Sequence, residues 1–99
     1  MAFKLIWSPS AELDLKDIAL FIAEDSPSAA QRFVRGVFQV VERLADFPES
    51  GRIVPEFDDP AIREVIRRPS RIVYKIDRAE GVVEIVRVWH AARGTPDLQ

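Results

Sequence analysis

The sequence predicts an α+β domain of order β-α-α-β-β-β, with a helical hairpin packed on one face of a mainly antiparallel four-stranded sheet. Three observations lead there. Two Ser-Pro pairs, Ser8-Pro9 and Ser26-Pro27, each stand directly before a run with helical apolar spacing. From Ile62 onward the apolar spacing becomes that of strands, with turn residues between three runs. A chain of 99 residues allows a single domain, 1–99, whose core is modest because a domain this size buries only about two-thirds of its unfolded surface.

Phe3 to Trp7 alternates and reads as a short strand. In the helix after Ser8-Pro9, Ala11, Leu15, Ile18 and Ile22 recur at i, i+4, i+7 and i+11, and the stripe stops near Glu24-Asp25. The second helix follows after a very short connection, which favours an antiparallel pair, and is expected to reach about Asp46, before Pro48. Its apolar positions, from Ala29 and Phe33 through Val37 and Val41 to Leu44 and Ala45, cover about half the helix circumference. A stripe that wide implies contact with both the first helix and a sheet.

Pro48, Gly51, Pro55, Asp58-Asp59 and Pro60 mark a loop. Ile62 to Arg68 is a strand stopped by Pro69. Arg71 to Asp77 follows, with Ile72, Tyr74 and Ile76 on one face and Arg71, Val73 and Lys75 on the other. Ala79-Glu80-Gly81 is a hairpin turn, and Val82 to His90, apolar on both faces, has the pattern of a central strand. The tail after about Ala92, with Gly94 and Pro96, is expected to fray. Trp7 and Trp89 are expected to pack between the first and last strands. The sheet face opposite the hairpin has no helical cover, and function is expected there.

Composition narrows the chemistry. There is no cysteine, which excludes a disulfide, a thiolate nucleophile or a cysteine-bound metal, and one histidine leaves zinc without a ligand set. The four glycines form no phosphate-cradling loop, and no nucleophile-elbow pattern is present. No cofactor or metal is expected. The N-terminal apolar stretch is too short for a signal peptide or a membrane span, so cytoplasmic residence is the expectation. Net charge is −2, but residues 1–50 carry five basic and eight acidic side chains while residues 51–99 carry nine and eight. Arg63, Arg67, Arg68 and Arg71 share their stretch with one acid, Glu64, a local balance of +3. That concentration suits contact with phosphate or a target, or a charged sheet edge that resists aggregation.

Several phrases, taken in order, resemble the RelE/ParE toxin family of type II toxin–antitoxin systems. They are Ala11-Glu12-Leu13-Asp14-Leu15-Lys16-Asp17-Ile18, Ala29-Ala30-Gln31-Arg32-Phe33-Val34, Leu44-Ala45-Asp46-Phe47-Pro48-Glu49-Ser50-Gly51-Arg52, Ile62-Arg63-Glu64-Val65, Tyr74-Lys75-Ile76 and Arg87-Val88-Trp89-His90-Ala91-Ala92-Arg93. They span positions 11 to 93. The resemblance implies a cognate ParD-like antitoxin that orders on binding, in a hetero-oligomeric toxin–antitoxin complex. It also implies one of two targets, DNA gyrase for ParE-like members or messenger RNA on the ribosome for RelE-like members. The ParE-like branch is favoured because the only tyrosine, Tyr74, lies inside a strand, whereas many RNase members carry one near the C-terminus.

Under the RNase alternative, the resemblance implies Arg71 and His90 as catalytic residues; the loop carboxylates Glu49 and Glu56 are both candidates for the base, and spacing does not choose between them. His90 equally suits a structural cap at a strand end, and Arg71 a salt bridge to Glu64 or Glu84. Arg87, alone in an apolar strand, calls for pairing with Glu84 or Glu64, or for phosphate or partner contact. Arg63, Arg67, Arg68 and Arg87 are thus the candidate target or phosphate contacts. Leu13 and Leu20 lie about 180–200° around the first helix from Ala11, on a charged side, and are the candidate antitoxin contacts.

Overall fold

Each Ser-Pro pair starts a helix. In the computed structural model, which describes residues 2–99, Ser8 Oγ accepts from the Ala11 amide at 3.0 Å and opens α1, Pro9–Asp25. Ser26 Oγ accepts from the Ala29 amide at 3.2 Å and opens α2, Pro27–Leu44. Each serine satisfies an N–H that has no intrahelical partner, and each proline sits where no amide hydrogen is needed. The last turn of α2 tightens, with the Ala45 amide donating to the Glu42 carbonyl, so the helix ends just short of Asp46.

Five strands form one sheet: β1 Lys4–Trp7, β2 Arg52–Ile53, β3 Ile62–Arg67, β4 Ser70–Asp77 and β5 Val82–His90. Their order is β1-β5-β4-β3-β2, with β1 parallel to β5 and every other pair antiparallel. The class and element order match the sequence expectation, and β5 is an interior strand as its two apolar faces require. The fifth strand is the addition. β2 has two residues inside the loop after α2, too short to leave a periodic signal.

One face of the sheet meets the hairpin. Ile72, Tyr74, Ile76, Val83, Ile85 and Val88 pack against Ala11 and Leu15 of α1 and Phe33, Val37, Val41 and Leu44 of α2. Each fully buried Val or Leu contributes roughly 1.5–3 kcal/mol before conformational entropy is charged against it. Tyr74 ends this core in a polar clasp: its hydroxyl donates to the Pro48 carbonyl at 2.7 Å and accepts from the Gly51 amide at 3.0 Å. A Cβ at Gly51 would collide with the Tyr74 hydroxyl and the Glu64 carbonyl, so the loop lies directly on the strand.

β5 carries a bulge. Val73 faces Arg87 while Tyr74 faces Ile85, leaving Val86 as an extra residue. One inserted residue reverses the alternation, so Ile85 and Val88 share the helical face while Arg87 and Trp89 project from the other. β1 reaches only the first half of β5, and α1 flanks the second. There Ser8 Oγ donates to the Val86 carbonyl at 2.7 Å and Asp14 Oδ2 accepts the Val88 amide at 3.1 Å. The strand groups that β1 cannot reach are thereby satisfied.

The two tryptophans do not meet. Trp7 packs on Phe38 of α2 with ring centroids 5.4 Å apart, while Trp89 is buried on the opposite face. The bulge is the reason, because it turns the end of β5 over. The segment expected to fray, after Ala92, forms a 3-10 turn at Ala91–Arg93 and then lies back on the body, with Pro96 buried. Among the described residues no helix is long and apolar enough to cross a membrane.

Candidate functional site on the uncovered face of the sheet

The face away from the helices carries a chain of charges. β3–β4 pairing sets Glu64 opposite Val73 and Ile66 opposite Arg71, and β4–β5 pairing sets Arg71 opposite Trp89. Glu64 is 1% exposed and Arg71 7% exposed, so neither charge can be left unpaired. Glu64 accepts from Arg71 Nε at 2.5 Å and from Arg52 Nε at 2.6 Å. Arg71 then reaches up to the loop, gripping both oxygens of Glu56 at 2.9 and 2.7 Å and donating to the Gly94 carbonyl at 3.2 Å. The bidentate fork makes this a strong charge-assisted pair. It holds the Glu56 carboxyl at a pKa of about 2, well below its usual 4.5, against the opposing effect of desolvation. The same bonds raise the pKa of Arg71, Glu56 contributing most.

A second ion pair lies beside it. Arg87 grips Asp14 of α1 at 2.7 and 2.8 Å, both side chains being 12% exposed. The Asp14 bond is the main cause of the raised Arg87 pKa. The expected partners, Glu84 and Glu64, are not used. Asp14 lies 73 positions away in sequence on the flank of the α1 stripe, and no spacing rule connects it to Arg87. Between the two networks Trp89 is covered by cations, with Arg93 3.9 Å and Arg87 4.8 Å from the ring centroid.

The arginines of the basic stretch do not form one patch. Strand alternation puts Arg63 and Arg67 on the helical side and Arg71 on the other. Arg63 donates to the carbonyls of Pro60, Glu49 and Gly51 and holds the loop. Arg67 lays its guanidinium over Gly36 of α2, where a Cβ would strike it. Arg68 is exposed in the turn before β4. His90 pairs in register with Ser70, on the side opposite Arg71, and its Nδ1 accepts the Ala92 amide at 3.1 Å. Arg71 and His90 therefore project from different faces, while Glu56 is already bound to Arg71 and Glu49 pairs at the surface with Arg78 at 3.2 Å. Leu13 and Leu20 are 60% and 58% exposed. Leu20 borders a groove of about 550 Å³ between the helices, with Ala19, Ala23, Ala30 and Val34 in its walls and Lys16 and Arg35 at its rim. Among the described residues no group of three or more His, Asp or Glu is placed to hold a metal ion.

Residues 5–94 match the family model described as ParE toxin of type II toxin-antitoxin system, parDE. The chain belongs to this ParE toxin family. It is 35% identical over 91 residues to Toxin RelE2 of Caulobacter vibrioides, an alignment covering 91% of this chain and 97% of that one. Among solved structures it resembles the chromosomal ParDE TA system from P. aeruginosa, with a TM-score of 0.71 at 21% identity over 90% of this chain and 96% of the other. It also resembles the toxin-antitoxin complex RelBE2 from Mycobacterium tuberculosis, with a TM-score of 0.62 at 19% identity over 91% and 99%. The ParE-family chain is thus a toxin of a type II toxin–antitoxin system, with the fold its relatives share.

Proposed function

We propose that this toxin acts on DNA gyrase and that a cognate ParD-like antitoxin neutralises it. The observation carrying this reading is the commitment of Arg71, which makes four hydrogen bonds to Glu56, Glu64 and Gly94. Metal-free RNA cleavage by 2′-hydroxyl attack needs a base, an acid and free cations converging on one phosphate. Here the best cation is committed through four of its five N–H groups, His90 caps a turn on the other side, and Arg87 is held by Asp14. A binding toxin needs no such convergence. The relatives divide between the ParE and RelE names, so the choice rests on this geometry. The antitoxin reading draws on the relatives solved as toxin–antitoxin assemblies and on the exposure of Leu13 and Leu20.

Purified toxin is assayed in parallel on gyrase-dependent supercoiling and DNA cleavage and on message bound to translating ribosomes. Trapped gyrase–DNA breaks with intact message are expected, and Arg71→Ala should then act only by lowering stability. Ribosome-dependent cleavage abolished by Arg71→Ala or His90→Ala, in a folded chain, makes the toxin an endoribonuclease and ends the gyrase reading. For the partner, Leu13→Glu and Leu20→Glu should each weaken antitoxin binding at least tenfold. Unchanged affinity in a folded variant removes those leucines from the interface.

A further inference from the structure

Among the described residues one buried side-chain polar atom lacks a hydrogen-bond partner, the hydroxyl of Ser70, which is fully shielded from solvent. An orphaned hydroxyl in such a place carries a desolvation cost that alanine would not. Ser70 opens β4 and shares the helical side of the strand with Ile72 and Tyr74. Sheet register sets it directly between Arg67 of β3 and His90 of β5. Cβ atoms of residues paired in this way lie about 4.5–5.5 Å apart. One short side chain between two long ones makes a cradle with a hydroxyl at its floor.

Both walls of the cradle have donors to spare. Arg67 takes part in none of the ion pairs formed among the described residues. Its guanidinium rests on Gly36, where a Cβ would collide with Nη2. Glycine is less favourable than alanine in a helix interior, so α2 gives up helix propensity at the point where it makes room for this cation. His90 Nδ1 accepts the Ala92 amide, which leaves Nε2 of the neutral ring as a donor. Arg32 lies one turn before Gly36 on the same side of α2, and Arg68 is exposed in the adjoining turn. No acid occurs in the sequence between Glu64 and Asp77. The row holds donors and no carboxylate base, an arrangement that binds an oxyanion without cleaving it.

We propose that Arg67, Ser70 and His90 form a binding site for a phosphate oxyanion, taken as free phosphate or as the phosphoryl group of a small phosphomonoester. The exposed Arg67 side chain swings off Gly36 to admit the anion, and the guanidinium, the Ser70 hydroxyl and His90 Nε2 then donate to its oxygens. The anion supplies the acceptor that Ser70 otherwise lacks, through charge-assisted bonds. The site lies on the side of the sheet opposite the Arg71–Glu56 pair, and the inference stands whether or not gyrase is the target.

His90 is the only histidine, so its ring Cε1–H gives a single NMR reporter in the full chain. Inorganic phosphate is titrated at constant pH and ionic strength, with sodium chloride making up the balance. A saturable shift of that resonance at millimolar phosphate is expected. Ser70→Ala should weaken binding at least about tenfold, the effect of one hydrogen bond to a charged group, and leave the phosphate-free chain as stable as wild type or more so. Arg67→Gln should weaken binding by about as much, whereas Arg68→Gln, outside the cradle, should change it by under about twofold. Adenosine monophosphate as a second probe separates the two sources. Binding at least as tight as that of inorganic phosphate assigns a phosphomonoester, and weaker binding assigns free phosphate. No saturable shift with either probe overturns the proposal. So does binding that Ser70→Ala leaves unchanged, or that Arg68→Gln weakens as much as Arg67→Gln does.

Discussion

The two faces of this sheet are built by different physics. On the helical side, apolar residues at strand and helix periods fill one core, and each residue's place follows from its spacing. On the other side three buried or half-buried charges, Glu64, Arg71 and Arg87, are tolerated because each meets opposite charge or backbone from a distant segment. The first face rests on many small and nearly interchangeable contacts, whereas the second rests on a few pairings that fail together. The two should therefore respond differently to mutation. A core position should lose stability in proportion to the volume removed, and a network position according to what is left unpaired.

The largest effect is expected from Arg71→Ala, which leaves buried Glu64 with only the exposed Arg52 as partner and should lower unfolding stability by about 3–5 kcal/mol in urea titrations. Replacing the pair together, Glu64→Leu with Arg71→Met, should recover most of that loss, because no buried charge is then orphaned. A double variant as unstable as the single one would make the open face a core like the other. On the helical face, Leu44→Ala, at 1% exposure, should cost about 2–4 kcal/mol through a simple cavity, with no partner able to rescue it. Tyr74→Phe should cost about 1–2 kcal/mol, since it removes both bonds to the Pro48–Gly51 loop but leaves the ring packed. Proteolysis in that loop should accelerate in parallel.

Acid offers a finer probe of the network. The Glu56 carboxyl is depressed from 4.5 to about 2 in the folded chain, so its contribution is fully present above about pH 4.5 and is lost as pH falls through about 2. The side chain is 30% exposed, and after allowance for solvent screening the loss should be about 1–2 kcal/mol. Glu56→Gln should flatten stability across that window; an unchanged slope would assign the acid sensitivity elsewhere. The smallest effect is expected for His90→Ala, which removes one exposed acceptor from the Ala91–Arg93 turn and should cost under about 1 kcal/mol while leaving toxicity intact in growth assays.

The element order, both helix starts, the core residues of α1 and α2 and the interior position of β5 were all written in local spacing, and so was the family. Periodicity and capping act over a few residues, so a sequence displays them directly. The site was less legible. Arg71 was expected to meet either phosphate or a carboxylate, and Glu64, one of the two carboxylates expected for it, is among its partners. Yet of the four basic residues that looked like one patch, Arg63 and Arg67 lie on one face, Arg71 on the other and Arg68 in the turn between strands, because alternation along β3 and β4 outranks proximity in sequence.

What tertiary structure alone decided is which distant segments meet. Asp14 reaches Arg87 because α1 fills the edge of β5 that β1 leaves open, and a single extra residue at Val86 turns Arg87 and Trp89 away from the core. The Gly94–Gln99 segment finds its acceptor role only where that reversed strand end exposes donors to it. Local sequence encodes how a residue prefers to sit. The partner of a buried charge is set by the register and crossing of whole elements, a sum over contacts that no short window contains.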